Sequence, residues 1–358
     1  MAAVLGGAVG GGAVALADRG RTTTVAVAPS VRRDGGATPT EAASTKGTVA
    51  GAAAAVAKSV VTVTVRSSSG TGGTGSGVIV RADGYILTND HVVSAAGSGS
   101  LTIEFADGRT ASAKITGRDA SSDLAVIKVD GVSGLTAATF ADSGQLQVGQ
   151  TVVAVGSPLG LEDTVTTGVV SALHRATRAG DDDTAIIDSV QTDAAINPGN
   201  SGGALADLAG RVVGITTSIA TVSGGSPRFG QAESGNIGIG FAIPSNTAAD
   251  IADQLIAHGN ATHAYLGVRV AGGGSGTAGG TSAGGGTLAS VVSGGPAAAA
   301  GLRAGDVVIK VGDRAIGDGD DLVAAIRSYR PGDRVTLTVR RGGSTTTATV
   351  TLGSDARQ

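Results

Sequence analysis

Ser201 sits in the run Asn197-Pro198-Gly199-Asn200-Ser201-Gly202-Gly203. A serine hydroxyl becomes a nucleophile when a tight turn exposes it and aims backbone N–H groups at a developing oxyanion, and glycines permit that close approach. The implied chemistry is acyl transfer, which also needs a base and a group to orient the base. Formally, residues 199–203 fit G-x-S-x-G, an elbow that stands between a strand and a helix and is followed along the chain by an acid and then a histidine. That context fails here. Ala204-Leu205 runs into a turn at 207–210 and another apolar run, while His258 and His263 fall at a helix end and in a connector.

The reverse order fits. His91 lies in Leu87-Thr88-Asn89-Asp90-His91-Val92-Val93, read as the end of an apolar strand, where an imidazole can be held at a barrel edge and still reach solvent and substrate. Asp123 follows 32 residues later and Ser201 another 78 beyond. His, acid, Ser is the chain order of chymotrypsin-type sites. Chemistry alone does not select the acid, because Asp119 and Asp130 flank the same apolar run at 124–129. Taken singly, Ser201 reads as a surface turn in a glycine-rich chain and His91 as a half-buried structural histidine; the order and contexts together give them a joint role.

The elements that must position these groups are short alternating apolar runs at 60–65, 77–80, 101–105, 124–129, 151–155, 165–173, 185–190, 211–216 and 237–243, separated by Gly, Asp and Ser. About ten strands over some 190 residues predict an all-β barrel or sandwich. A helix at 246–258, with Ala248, Ile251, Leu255 and Ile256 at helical spacing, closes that domain. A second unit runs over 263–353, with strands at 287–292 and 306–311, a helix at 321–329 and a hairpin across Arg341-Gly342-Gly343. Residues 271–286 are Gly, Ser, Thr and Ala throughout, read as a flexible insertion.

In these segments the chain resembles the HtrA family of trypsin-like serine proteases with one C-terminal PDZ domain. The resemblance covers about 57–352 and rests on Ile86-Leu87-Thr88-Asn89-Asp90-His91-Val92-Val93, Ser122-Asp123-Leu124-Ala125-Val126, Val155-Gly156-Ser157-Pro158-Leu159-Gly160, the 192–203 run around Ser201 and Gly238-Ile239-Gly240-Phe241-Ala242-Ile243-Pro244. One departure is Ala204, where the family usually has Pro. The resemblance implies a chymotrypsin-like double β-barrel over 49–258 followed by a PDZ domain, a small α+β fold. It implies Ser201 as nucleophile, His91 as base then acid, Asp123 as orienting carboxylate, and the N–H groups of Gly199 and Ser201 as oxyanion hole. Ala195, six before the nucleophile, would floor the specificity pocket, with Ile237 and Ile239 as walls; lacking a carboxylate there, the enzyme is expected to cut after small or medium aliphatic residues. Tyr265-Leu266-Gly267-Val268, with Gly295-Pro296-Ala297 and Ala300-Gly301-Leu302-Arg303-Ala304-Gly305-Asp306, resembles a bacterial PDZ domain, whose loop binds a peptide carboxylate while the peptide adds as a strand. Unfolded polypeptides and C-terminal peptides are the implied partners, and a homotrimer the implied assembly. A catalytically silent chaperone or peptide sensor on the same fold is the alternative.

Composition narrows the field. The 358 residues contain no Cys, four His and a formal net charge of −3, so a thiol nucleophile is excluded and a His-built metal site disfavoured. No metal or cofactor is expected. Balanced charge and seven aromatics argue against a nucleic-acid partner. Gly70-Thr71-Gly72-Gly73-Thr74-Gly75 fits a dinucleotide fingerprint but joins two β runs, and Asp181-Asp182-Asp183 lacks regular calcium-ligand spacing. Residues 1–17 are apolar and end in Ala15-Leu16-Ala17, read as an export signal or membrane tether although no basic residue precedes them. Residues 18–48 read as a disordered linker with a reach of roughly 30 Å. These features predict an extracytoplasmic protein, secreted or anchored.

Overall fold

The computed structural model describes residues 45–67, 72–97, 99–157, 164–179, 185–197, 199–217, 238–271 and 284–355. The apolar 1–17 segment, most of the 18–48 tract, Asp181 to Asp183 and residues 272–283 of the glycine-rich stretch at 271–286 lie outside them. Among the described residues no helix is long and apolar enough to cross a membrane.

A helix that the sequence reading did not foresee, α1 (Val49–Ala57), opens the first domain. Thr48 caps it by accepting the Gly51 N–H, and Ala52 and Val56 bury one stripe. With no charged residue and mostly alanine, its amphipathic period is too faint to read locally.

The alternating runs form two closed six-stranded antiparallel barrels. The first contains β1 (Val60–Arg66), β2 (Gly72–Arg81), β3 (Tyr85–Thr88), β4 (Ser100–Glu104), β5 (Thr110–Asp119) and β6 (Leu124–Val129), in the order β1-β2-β3-β6-β5-β4. Gly72 to Gly75 are paired with β1, so this part of the glycine run is strand, not a nucleotide-binding loop before a helix. The second contains β7 (Thr151–Gly156), β8 (Thr164–Ala179), β9 (Ala185–Thr192), β10 (Ala204–Ala206), β11 (Val212–Thr217) and β12 (Gly240–Pro244), in the order β10-β11-β12-β9-β8-β7.

Period-two alternation divides each strand between two cores. Val61, Val63 and Val65 enter the first barrel with Ile79, Ile86, Ile103 and Ile127. Val152, Val170, Leu205 and Val213 fill the second. The opposite faces, carrying Val60, Leu87, Val126, Val155 and Ile215, meet between the barrels. There α3 (Ser245–His258) adds Ala248, Ile251 and Leu255 and ends at Gly259, whose φ of 76° is the left-handed cap that glycine supplies without strain. Each fully buried Leu or Ile there contributes about 1.5–3 kcal/mol, so this shared core is what holds the barrels together along the cleft between them.

The second domain is the expected small α+β fold. Strands β13 (Ala264–Tyr265), β14 (Val268–Val270), β15 (Gly286–Val291), β16 (Val307–Val311), β17 (Arg314–Ala315), β18 (Arg334–Arg341), β19 (Ser344–Thr351) and β20 (Gly353–Ser354) pack with α4 (Pro296–Ala299) and α5 (Gly319–Arg327). Leu288, Val308, Leu322, Ile326, Leu337 and Val350 make its core. Asp318 caps α5 by accepting the Asp321 N–H.

Charged side chains join the two domains. Arg330 pairs with Asp250 in the open, where solvent screens the attraction. His263 and Asp119 are both buried, Nε2 to Oδ1 at 3.0 Å, and losing one partner of such a pair costs on the order of 3–5 kcal/mol. Burial opposes the charge on Asp119, yet the bonds from His263 and Ser122 hold its carboxyl below the ordinary range.

A third junction carries a pH dependence. Asp188 Oδ2 bonds His174 Nδ1 at 2.9 Å and its other oxygen forms an ion pair with Arg314 at 2.8 Å, while Arg314 also donates to the His174 carbonyl. The Asp188 bond, opposed by burial, raises the His174 pKa above its ordinary 6.5. A raised folded-state value means that the stabilisation is fully present below about pH 6.5 and disappears as pH rises through the raised value. His174→Asn is expected to flatten that stretch of the Tm-against-pH curve; a curve identical to wild type contradicts it.

Candidate active site

His91 and Asp123, 32 residues apart, are joined side chain to side chain, and the backbone of the Ser201 turn docks on β2. The structure corrects the expectation that His91 ends a strand: β3 stops at Thr88, and His91 lies in a short helix, α2 (Asp90–Ser94). The cause is a polar break at Asn89-Asp90 and a long-range carboxylate. Asp123 Oδ1 accepts the backbone N–H of His91 at 3.0 Å, serving as cap for a helix whose own N-cap residue, Asn89, makes no side-chain capping bond. Asn89 instead donates Nδ2–H to the Asp123 carbonyl at 2.9 Å.

Asp123 is fully buried. Its carboxylate also accepts from His91 Nδ1, 2.9 Å from either oxygen, and from the Thr217 hydroxyl at 3.0 Å. Asp123 has φ 53°, a left-handed conformation that a non-glycine residue holds only when its surroundings enforce it. The turn before it does so: Asp119 accepts from Ser122 Oγ and from the Ser121 N–H. The other two acids of the sequence reading are engaged elsewhere, Asp119 on His263 and Asp130 on Lys114. An imidazole held through Nδ1 by a buried carboxylate leaves Nε2 to take a proton. The His91 side chain is 22% exposed, enough to meet substrate.

Ser201 approaches from the second barrel. Its carbonyl accepts the Ser76 N–H at 2.8 Å, docking it on β2. A Cβ at Gly75 would lie 2.7 Å from Val92, the residue after His91, and 3.3 Å from Ser201 O, so glycine there lets base and serine segments share one strand. The turn is tied on every side. Ser76 Oγ donates to Gly199 O at 2.6 Å, Thr216 Oγ1 to Asn200 O at 2.6 Å, and Gly202 N–H to Thr216 O at 2.8 Å. Gly199 and Gly202 have φ of 102° and 83°. At Gly202 a side chain would also strike Ser76 O and Thr88 Oγ1. This is a rigid turn of the kind that can present a hydroxyl and its adjacent N–H groups.

Of the pocket residues, Ala195 is half-buried and its carbonyl accepts from Thr166 Oγ1 at 3.0 Å. Ile239 is exposed just before β12, and Ile237 lies outside the described residues. In the C-terminal domain Tyr265, Leu266, Gly267 and Val268 border a groove of about 220 Å³ whose floor and far wall come from Val270, Leu322, Val323 and Ile326. Gly267 has φ 78°, and its carbonyl accepts from Val292 N–H while Leu266 O accepts from Ala297 N–H, fixing the loop.

Sequence reasoning missed Thr217, Ser76 and the bonding role of Asn89. Asn89 stood inside the quoted His91 motif, but Ser76 fell between the Gly70 to Gly75 run and the apolar run at 77–80, and Thr217 followed an apolar run with nothing to mark it.

Residues 75–215 match the family described as trypsin-like peptidase domain, and 264–352 match the PDZ domain. The chain is 48% identical over 291 residues to serine protease PepD of Mycobacterium tuberculosis, covering 78% of this chain but 60% of that protein's length. It is 41% identical over 299 residues to serine protease Do-like HtrA of Lactococcus lactis, covering 78% of this chain and 70% of that one. Among solved structures, the HtrA-type protease AlgW with tripeptide superposes with a TM-score of 0.63 at 34% identity, covering 86% of this chain and 97% of the other.

Proposed function

Because this chain belongs to the HtrA family of trypsin-like serine proteases, we propose that it is an extracytoplasmic serine endopeptidase acting on unfolded or damaged polypeptides. The observation that carries this reading is the Asp123–His91 pair, whose neighbour Val92 packs on the same strand, β2, that receives the Ser201 turn. Ser201 attacks the peptide carbonyl, His91 takes its proton and later returns it to the leaving amine, and Asp123 holds the imidazole tautomer and stabilises the imidazolium. The N–H groups of Gly199 and Ser201 receive the oxyanion. Names of relatives as probable periplasmic proteases support the compartment.

The groove beside Tyr265-Leu266-Gly267-Val268 takes the C-terminus of a peptide, which adds as a strand along β14, and the contacts of this domain with the 119–122 turn give it a route to regulate the site. AlgW was solved with a tripeptide, which accords with peptide capture. A homotrimer and a tether through residues 1–17 belong to the same proposal.

Labelling with a fluorophosphonate, in the presence of an unfolded casein-like polypeptide, tests the reading. A single adduct at Ser201, lost in Ser201→Ala, is the expected result. No adduct on folded protein favours the chaperone or sensor alternative. A peptide-library digest is expected to show cleavage after Val, Ala or Ile, since Ala195 brings no carboxylate to the pocket; preference for Arg or Lys contradicts that assignment.

A further inference from the structure

Asp90, immediately before His91, is buried, an unusual place for a second negative charge beside a general base. Its partner is Arg118, near the end of β5. Arg118 Nε donates to Asp90 Oδ1 at 2.6 Å and a terminal nitrogen donates to Oδ2 at 2.9 Å, the two-pronged geometry that fixes both position and orientation. The Asp90 side chain is 9% exposed and that of Arg118 41%, so the carboxylate is the desolvated member and the arginine reaches it from the surface. We infer that Arg118 is a positioning residue for catalysis: by clamping and neutralising Asp90 it holds α2 against β5 and sets the pH at which His91 becomes a competent base.

Among the described residues the other charges near α2 are engaged elsewhere or exposed. Asp123, at the head of β6, bonds the His91 ring and N–H directly. Asp119, next to Arg118, is turned to Ser122 and His263. Lys114 pairs with Asp130 in the open, and Lys128 donates to the Val129 carbonyl. Arg66 and Arg81 are exposed at the ends of β1 and β2. The Asp90–Arg118 pair is thus the adjustable charge beside the base. Without Arg118, Asp90 is a buried anion that stabilises imidazolium and raises the pH at which His91 loses its proton.

This inference rests on His91 being the base, and the experiment separates the two claims. The rate of Ser201 modification by a fluorophosphonate is measured from pH 5 to 9 on the full chain. His91→Ala must abolish rapid modification; if it does not, the base assignment falls. With that control in place, R118Q is expected to move the acid limb up by about 1 pH unit and lower the plateau about 10-fold. R118K, keeping the charge, should leave the limb near wild type, and D90N/R118Q should return it there. An unmoved limb in R118Q, or a shift that persists in D90N/R118Q, overturns the inference. If R118Q does not fold, D90N decides: it leaves the Arg118 cation without its counter-charge at α2 and must move the limb downward, and an unchanged limb refutes the proposal.

Discussion

Ser201→Ala and His91→Ala are each expected to lower peptide turnover by on the order of 10⁴–10⁶, with a double variant little worse than either single one. The near-equality follows from the two groups acting as one unit: a hydroxyl without a base stays protonated, and a base without a hydroxyl has nothing to activate. What survives is carried by the Gly199-to-Ser201 turn, whose ties to Ser76 and Thr216 do not involve either removed side chain. Steady-state kinetics on an aliphatic-P1 peptide, with thermal melts to show that both variants fold, checks this. Losses that multiply would mean that the two side chains act independently, and a loss below 100-fold would remove them from the reaction.

Asp123→Asn is expected to cost about 10⁴ in kcat while leaving KM within a few-fold. Every neighbour of this carboxylate is a donor: the His91 N–H, the His91 Nδ1–H and the Thr217 hydroxyl. An amide offers one acceptor oxygen for three donors, and its NH₂ group can sit against the ring only if the imidazole turns to the tautomer with the proton on Nε2. That tautomer cannot take the proton of Ser201. Asparagine tolerates the left-handed φ of 53° at this position, so the backbone of the turn survives and the loss reports on electrostatics and tautomer. Retained kcat in a folded D123N protein would assign the orienting role to another group.

How far the sequence reached is seen at particular residues. Most strand runs of both barrels were legible because alternation at period two needs no knowledge of what lies across the strand, whereas β5, polar and largely exposed, and the three-residue β10 carry no such alternation. Ser201, His91 and Asp123 were legible as a set only through their order and flanking motifs, since Asp119 and Asp130 border the same strand and spacing does not rank them. The structure ranks them by burial and by bonds: Asp123 faces the imidazole, Asp119 faces His263, and Asp130 faces a surface lysine.

The chain by itself determined the chemistry available: a serine in the run Pro198-Gly199-Asn200-Ser201-Gly202-Gly203, a histidine and an acid ahead of it in motifs of their own, no thiol, and an alanine rather than an acid six residues before that serine. Tertiary structure decided how that chemistry is held. The Thr217 bond to Asp123 spans 94 residues and the Ser76 bond to Gly199 spans 123, distances over which local pattern carries no information about register or partner. Barrel closure supplies it, because once each strand commits one face to a core, the neighbour across the ladder is fixed to the residue. The same closure put His91 on a helix capped by a carboxylate from another strand and set Arg118 against Asp90, arrangements that depend on which chains meet, not on which residues follow one another.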